Sequence, residues 1–204
     1  MNHLITPDTR LSDIIVEAPS TLAILSRFGV RLGVGDATVA SASRQLNVDP
    51  ILMVTILNTS LYDDYDPSAW LPHMAVADVK HYLNFTRAYH EHYQLPNIEH
   101  HFQLLLGKSS SSNLQPMLQF FHQVQQQMLA TSDYSNADDL DDKINDLMSM
   151  IAIHLQGDYD ANLAHAVLHA IGSLRTSLAQ SHRIVSRILQ PLRRSSESPL
   201  PSKP

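Results

Sequence analysis

Cysteine is missing from all 204 residues, which removes disulfides, thiolate metal sites and cysteine nucleophiles together. Positive charge is short as well. Lys and Arg number 14 against 20 Asp and Glu, and the formal charge of -6 gives no chain-wide attraction to nucleic acid or anionic lipid. No apolar run reaches the length of a membrane span, and "MNHLITPDTRLSD" has no cationic stretch leading into an apolar one. The expectation is a cytoplasmic protein with no membrane partner. β-branched runs of period two are few, which argues against strands. A Gly-x-Ser-x-Gly elbow, a Walker loop and a dinucleotide fingerprint are all lacking. Glycine is scarce, 6 in all, yet Gly29, Gly33 and Gly35 crowd together in "SRFGVRLGVGDATV".

What is present is helical spacing. With 44% hydrophobic residues the chain can bury one or two cores. Leu11, Ile14, Ile15 and Ala18, then Leu22, Leu25 and Phe28, recur at helical intervals. Asp36 is placed to cap "DATVASASRQL", and Asp49 followed by Pro50 marks another start. Four short helices therefore make a small domain over residues 1–58. The acidic, proline-punctuated "TSLYDDYDPSAWLPHMA" reads as a linker over 59–75, packing through the single tryptophan, Trp70. Residues 76–194 read as four long helices, the first kinked near Pro96 and the last stopping at Pro191. An antiparallel four-helix bundle follows. Residues 195–204, "SSESPLPSKP", read as a disordered tail.

The glycine cluster follows a helical segment and not a strand, so a phosphate loop is disfavoured. Gly29 fits a left-handed residue just beyond a helix end, and Gly33 and Gly35 allow a tight loop. The stretch "DIIVEAPSTLAILSRFGVRLGVGDATVASASRQLNVDPILMVTILN" resembles the N-terminal domain of the repair-of-iron-centres family, in which a Cys-Cys-Gly-Gly turn follows the first helices. Here that turn is Leu32-Gly33-Val34-Gly35, so both thiols are replaced. The resemblance covers roughly Leu11 to Pro191. It implies an all-α chain: a small helical domain, then a hemerythrin-like bundle whose inward histidines and carboxylates hold two irons.

Matched to that pattern, the ligand positions are degraded. Arg87 stands where a histidine is expected, with His90 about one turn on. On the second helix the positions fall at Thr131 and Ser135, or, in another register, at His122 with Gln126 in place of the carboxylate. The third helix has no histidine in its first turn, although His154 sits at its far end. On the fourth, His182 fits, but Ser186 follows where glutamate is expected. Each missing carboxylate removes charge neutralisation and a bridge between irons.

Other histidines offer little more. His165 and His169 share a helix face, but His182 lies roughly 20 Å beyond His169 along the helix, too far to share one ion. The expected reading is therefore a non-catalytic interaction or regulatory protein without cofactor, linked by the resemblance to nitrosative or oxidative stress. It would act through a protein partner, a second copy of the chain included. The alternative is an iron-binding cluster-repair or oxygen- or NO-sensing protein whose site uses His182, His122, His154 or His90. A weaker third is a transcriptional regulator with a basic face from Arg27, Arg31 and Arg44. "TVASASRQLNVDPILMVTILN" looks like a helix-turn-helix, but its second helix has no Lys or Arg to meet phosphates.

Overall fold

The computed structural model describes residues 4–131, 134 and 136–197. Their regular secondary structure is all helical, and the one β-type pairing among them is an isolated bridge between Arg10 and Thr38. The all-α expectation is met. The chain divides into two compact units, residues 1–86 with 183–204, and residues 87–182. The division passes within two helices and not through the 59–75 segment.

In the first unit, α1 (Leu11–Glu17), α2 (Thr21–Arg27) and α3 (Val39–Leu46) lead to α4 (Pro50–Leu61). From Leu52 to Ser60 every residue of α4 is buried. A helix with apolar residues on all sides can satisfy them only at the centre of a unit. Asp49 caps it as expected, its Oδ1 accepting from the Ile51 N–H at 2.8 Å. The cap of α3 is Thr38 and not Asp36. Thr38 and Ser41 bond reciprocally, the Ser41 N–H to Thr38 Oγ1 at 3.2 Å and the Thr38 N–H to Ser41 Oγ at 2.8 Å. This satisfies two donors, where an aspartate satisfies one, and Asp36 instead meets Arg10 at 3.4 Å on the surface. α2 ends at Gly29, whose φ of +95° suits a residue without Cβ. The Gly29 N–H donates to Ser26 O and the Val30 N–H to Leu25 O, the paired bonds of a left-handed helix end.

Asn58, in the middle of this core, has no apolar rationale. Its Oδ1 accepts the Ile5 N–H at 2.9 Å and its Nδ2 donates to Ile5 O at 2.9 Å. One amide side chain thus satisfies both backbone groups of a buried residue far away in sequence. The 59–75 segment belongs to the same unit, but not chiefly through its tryptophan: Trp70 is 43% exposed, whereas beyond α4 Tyr65, Pro67 and Met74 are buried. Arg183 fixes the segment's start, its Nη1 lying 3.2 Å from Ser60 O and 2.8 Å from Asp63 Oδ1. A cation there faces the negative end of α4. α5 (Val76–Tyr89) adds Tyr82, whose ring packs tilted against Phe28 with centroids 4.7 Å apart, its phenol pushed up by burial and partly drawn back by Arg27.

The second unit holds one apolar core drawn from α6 (Leu95–Gly107), α7 (Leu114–Ala130), α8 (Ala137–His154) and α9 (Ala161–Ile184). Phe102 and Phe121 meet at its centre with ring centroids 5.7 Å apart. Leu114, Met117, Leu118, Phe121, Val124 and Met128 form the buried stripe of α7, spaced by threes and fours. At one end the serine loop is knitted to the turn before α9, the Ser110 N–H reaching Asp158 O at 2.9 Å. α8 and α9 are also joined by a two-pronged ion pair: Arg175 Nε to Asp141 Oδ1 at 2.6 Å and Nη2 to Oδ2 at 2.8 Å.

Pro191, expected to stop its helix, lies instead inside continuous helical chain, and Pro96 likewise sits in helix that continues past it. His90–Gln94 and Val185–Leu189 form π-turns, in which the Leu95 N–H bonds to His90 O and the Gln190 N–H to Val185 O. Pro96 and Pro191 each follow by two residues. A proline has no N–H to donate and crowds the carbonyl four residues back, and the wider π-turn opens that spot. After Pro191 the chain continues as α10 (Gln190–Glu197), so residues 195–197 are helical, and the remainder of the expected tail, 198–204, lies outside the described residues.

Two outcomes follow. Asn58→Leu leaves the Ile5 N–H and C=O buried and unpaired, and is expected to cost about 2–4 kcal/mol in chemical denaturation; a loss below about 1 kcal/mol would show that water replaces the amide. Arg175 holds the Asp141 carboxyl below its ordinary range, chiefly by hydrogen bonding. Stability from this pair is therefore complete above the unfolded value near ~3.9 and is lost as pH falls through the lower folded value. Asp141→Asn should flatten the acid limb of a stability–pH curve, by less than about 1 kcal/mol because both side chains are well exposed.

Candidate functional site

The π-turn before Pro96 decides which side chains face inward. One turn wider by a residue, it brings His90 and Gln94 to the buried side together. His90 is 1% exposed, and its Nε2 lies 2.7 Å from the Oγ of Ser177 on α9. One ladder rung along, Gln94 Nε2 reaches Ser173 Oγ at 3.4 Å. Two polar residues spaced by four on one chain segment are thus matched by two spaced by four on another. Burial without partners is costly for such groups, and pairing offsets it.

Arg87, in the last turn of α5, reaches to α7 and donates from Nη2 to Leu129 O at 2.8 Å. It satisfies a carbonyl at the end of a helix that has no further turn to use it. Arg87 and His90 line a small cleft with room for about one water-sized group. Thr131, Tyr134 and Asn136 line it as well, and Met128, Leu129, Leu140 and Leu178 supply apolar surface. Thr131 Oγ1 and Asn136 Nδ2 both lean on Gln127 O at 3.4 Å. Tyr134 holds a left-handed φ of +57°, a conformation that costs a side-chain-bearing residue roughly 1–2 kcal/mol.

Among the described residues no acid lines the cleft, and no carboxylate lies within 4 Å of Arg87. Asp139, near the start of α8, is engaged by Lys143 at 3.1 Å and by Gln127. A cation, an imidazole, a hydroxyl and an amide can offer donors to a small electron-rich group; they offer little to a metal ion.

Of the residues singled out from sequence, Arg87, His90 and Thr131 line this cleft together, and Ser135 lies outside the described residues. His122 is half-exposed on α7 and pairs with Glu99 at 3.2 Å. His154 ends α8, exposed, with its carbonyl accepting from Asn113 at 2.9 Å. His182 is half-buried on α9, and the Ser186 hydroxyl bonds back to Arg183 O at 3.3 Å. His165 and His169 are exposed. Among the described residues no three of His, Asp or Glu come together in a way that could hold a metal ion. The basic face needed by a DNA-binding reading loses Arg27, which is buried and engaged with Tyr82.

Sequence reasoning missed Ser177 and Asn136. For Ser177 a signal existed: Ser173, Ser177 and Ser181 repeat every four residues, the spacing of Thr86, His90 and Gln94. No protein-family model, curated protein or solved structure matches the chain.

Ser177→Ala removes the 2.7 Å partner of a buried imidazole and is expected to lower the unfolding free energy by about 1–3 kcal/mol. Ser177→Thr, which keeps the hydroxyl, should recover part of that loss in the same thermal melts, and equal losses in the two variants would mean that packing and not the hydrogen bond is responsible.

Proposed function

We propose that this chain is a non-catalytic interaction or regulatory protein, built as a small helical domain and a hemerythrin-like antiparallel four-helix bundle of the repair-of-iron-centres type, in which the metal site has been dismantled. The observation that carries the reading is Arg87. Where the resemblance calls for a metal-binding histidine, a permanent cation reaches across to Leu129 O, and the neighbouring ligand position is Thr131. A guanidinium cannot lose its proton to become a ligand, and it repels any metal ion that enters beside it. Among the described residues the donor set around it is one imidazole with hydroxyl and amide groups and no carboxylate, which does not fit a di-iron centre.

The iron-binding alternative needs His90, His122, His154 and His182, with acids, to converge. Each of the first three instead has a separate local setting: Ser177, Glu99 and the exposed end of α8. Exposed aromatic surface supports an interaction role, since Tyr89 and Tyr93 stack at 5.9 Å with Tyr93 68% exposed. The expected partner is a protein, in a stress-response setting if the resemblance carries that far.

Elemental analysis of full-length protein from an iron-supplemented culture, with an optical spectrum alongside, tests the reading. The expected result is below about a tenth of a metal ion per chain. Close to two irons per chain, which carboxylate and imidazole ligands would have to hold, overturns it.

A further inference from the structure

We infer that His165 and His169, on the exposed face of α9, form an exchangeable surface site for a late first-row divalent cation of the zinc type. The site owes nothing to the Arg87 cleft, and it stands whether or not the scaffold is hemerythrin-like.

Of the twelve histidines in the chain, these two are the one pair spaced by three or four residues. Residues four apart on a helix stand with Cβ atoms about 5–6 Å apart on one face. Helical side chains lean toward the N-terminal end, so the His169 ring leans over the turn that carries His165. Two imidazole nitrogens at ~2.0–2.1 Å from one ion are themselves about 3 Å apart, a separation that this spacing allows.

The register of α9 fixes the side on which they stand. Ala164, Val167 and Ile171 are buried in the core of the second unit, while both histidines are exposed. A helix pinned by its core face holds the two rings over solvent with its backbone already ordered, which lowers the cost of closing on an ion. The positions three and four residues before and after the pair are Ala161, Asn162, Gly172 and Ser173, so no fixed cation on this face opposes a metal ion. The positive end of α9 lies one turn before His165, and Asp160 offsets it there: its Oδ1 accepts the Asn162 N–H at 3.0 Å and the Leu163 N–H at 3.1 Å.

Ligand type then selects the ion. Neutral imidazole suits zinc and its neighbours in the first row, whereas magnesium and calcium take oxygen ligands. Among the described residues no third histidine or carboxylate joins the pair. Water therefore takes the remaining positions. A structural zinc site is closed by four protein ligands; a site with two leaves the ion open to solvent and free to exchange. Such a site follows the level of free metal and gives its ion up during purification.

The test is titration of the full, isotope-labelled chain, first dialysed against a chelator, with zinc chloride and separately with magnesium chloride, followed by NMR at the histidine ring signals. Zinc should shift the His165 and His169 signals together and saturably, with a dissociation constant of about 0.1 mM or below, and magnesium should shift neither at about tenfold that level. His165→Gln and His169→Gln, checked for unchanged helical content by circular dichroism, should each weaken zinc at the remaining ring by about tenfold or more, because either loss ends the chelation. Should one variant unfold, the other decides. His73→Gln removes an exposed histidine of the first unit and should leave the pair's response as it was. Lack of saturation by about 1 mM zinc, different midpoints for the two rings, an equal response to magnesium, or undiminished binding at the remaining ring of a folded single variant overturns the inference. Iron retained through purification and zinc taken up in titration are separate quantities, so failure here and failure of the proposed function are told apart.

Discussion

A proline cannot donate a backbone hydrogen bond, and in this chain that small deficit shapes both long helical runs. Pro96 and Pro191 each sit two residues beyond a π-turn, where the backbone reaches one residue further for its acceptor. The helix is neither broken nor left with a clash at the carbonyl four residues back. The inserted residue turns the following face by about a quarter of a circle. His90 and Gln94 become inward neighbours for this reason, and so do Val185, Ile188 and Leu189. The buried polar ladder and the place of His90 in the Arg87 cleft are thus downstream of a missing N–H.

Stability around that constraint comes from two kinds of contact of unequal number. Most of the buried surface is aliphatic and aromatic, and it gives cohesion without direction. Direction comes from a few polar pairs that tolerate one arrangement each: the buried Asn58 with Ile5 and His90 with Ser177, and the half-buried Arg183 with Ser60. Each is worth little in net free energy while formed and costs several times more when half is removed. Such pairs specify a structure more than they hold it together.

Local chemistry was legible in the sequence wherever it acts over a few residues. The all-helical class, the four short N-terminal helices, the Asp49 cap and the left-handed role of Gly29 follow from spacing and from residues without alternatives. The cap of α3 was misplaced because Asp36 and Thr38 are both good caps in isolation, and the reciprocal partner of Thr38, Ser41, is not the glutamate or glutamine usual at that position. Pro191 looks like a stop in sequence because a π-turn leaves no compositional trace. The expected packing through Trp70 is replaced by Tyr65, the buried aromatic of that segment. At the candidate site, Arg87, His90 and Thr131 were reachable through helical register. The four-residue serine spacing on α9 marks Ser177 as one of a stripe but not as the partner of His90, and Asn136 carries no such mark; which segment faces which is set only by the tertiary core.

The first compact unit is assembled from two stretches of chain that flank the second. Arg183 meets Ser60 across 123 positions, while Asn58 meets Ile5 across 53. On a ribosome, where the N-terminal end emerges first, α4 has to wait with its carbonyl end uncapped until the whole of the second unit has been made. The intervening helices, whose neighbours along the chain are also neighbours in space, are free to collapse during that interval. Synthesis therefore reverses the order of the chain: the middle matures first, and the beginning is finished by the arrival of Arg183.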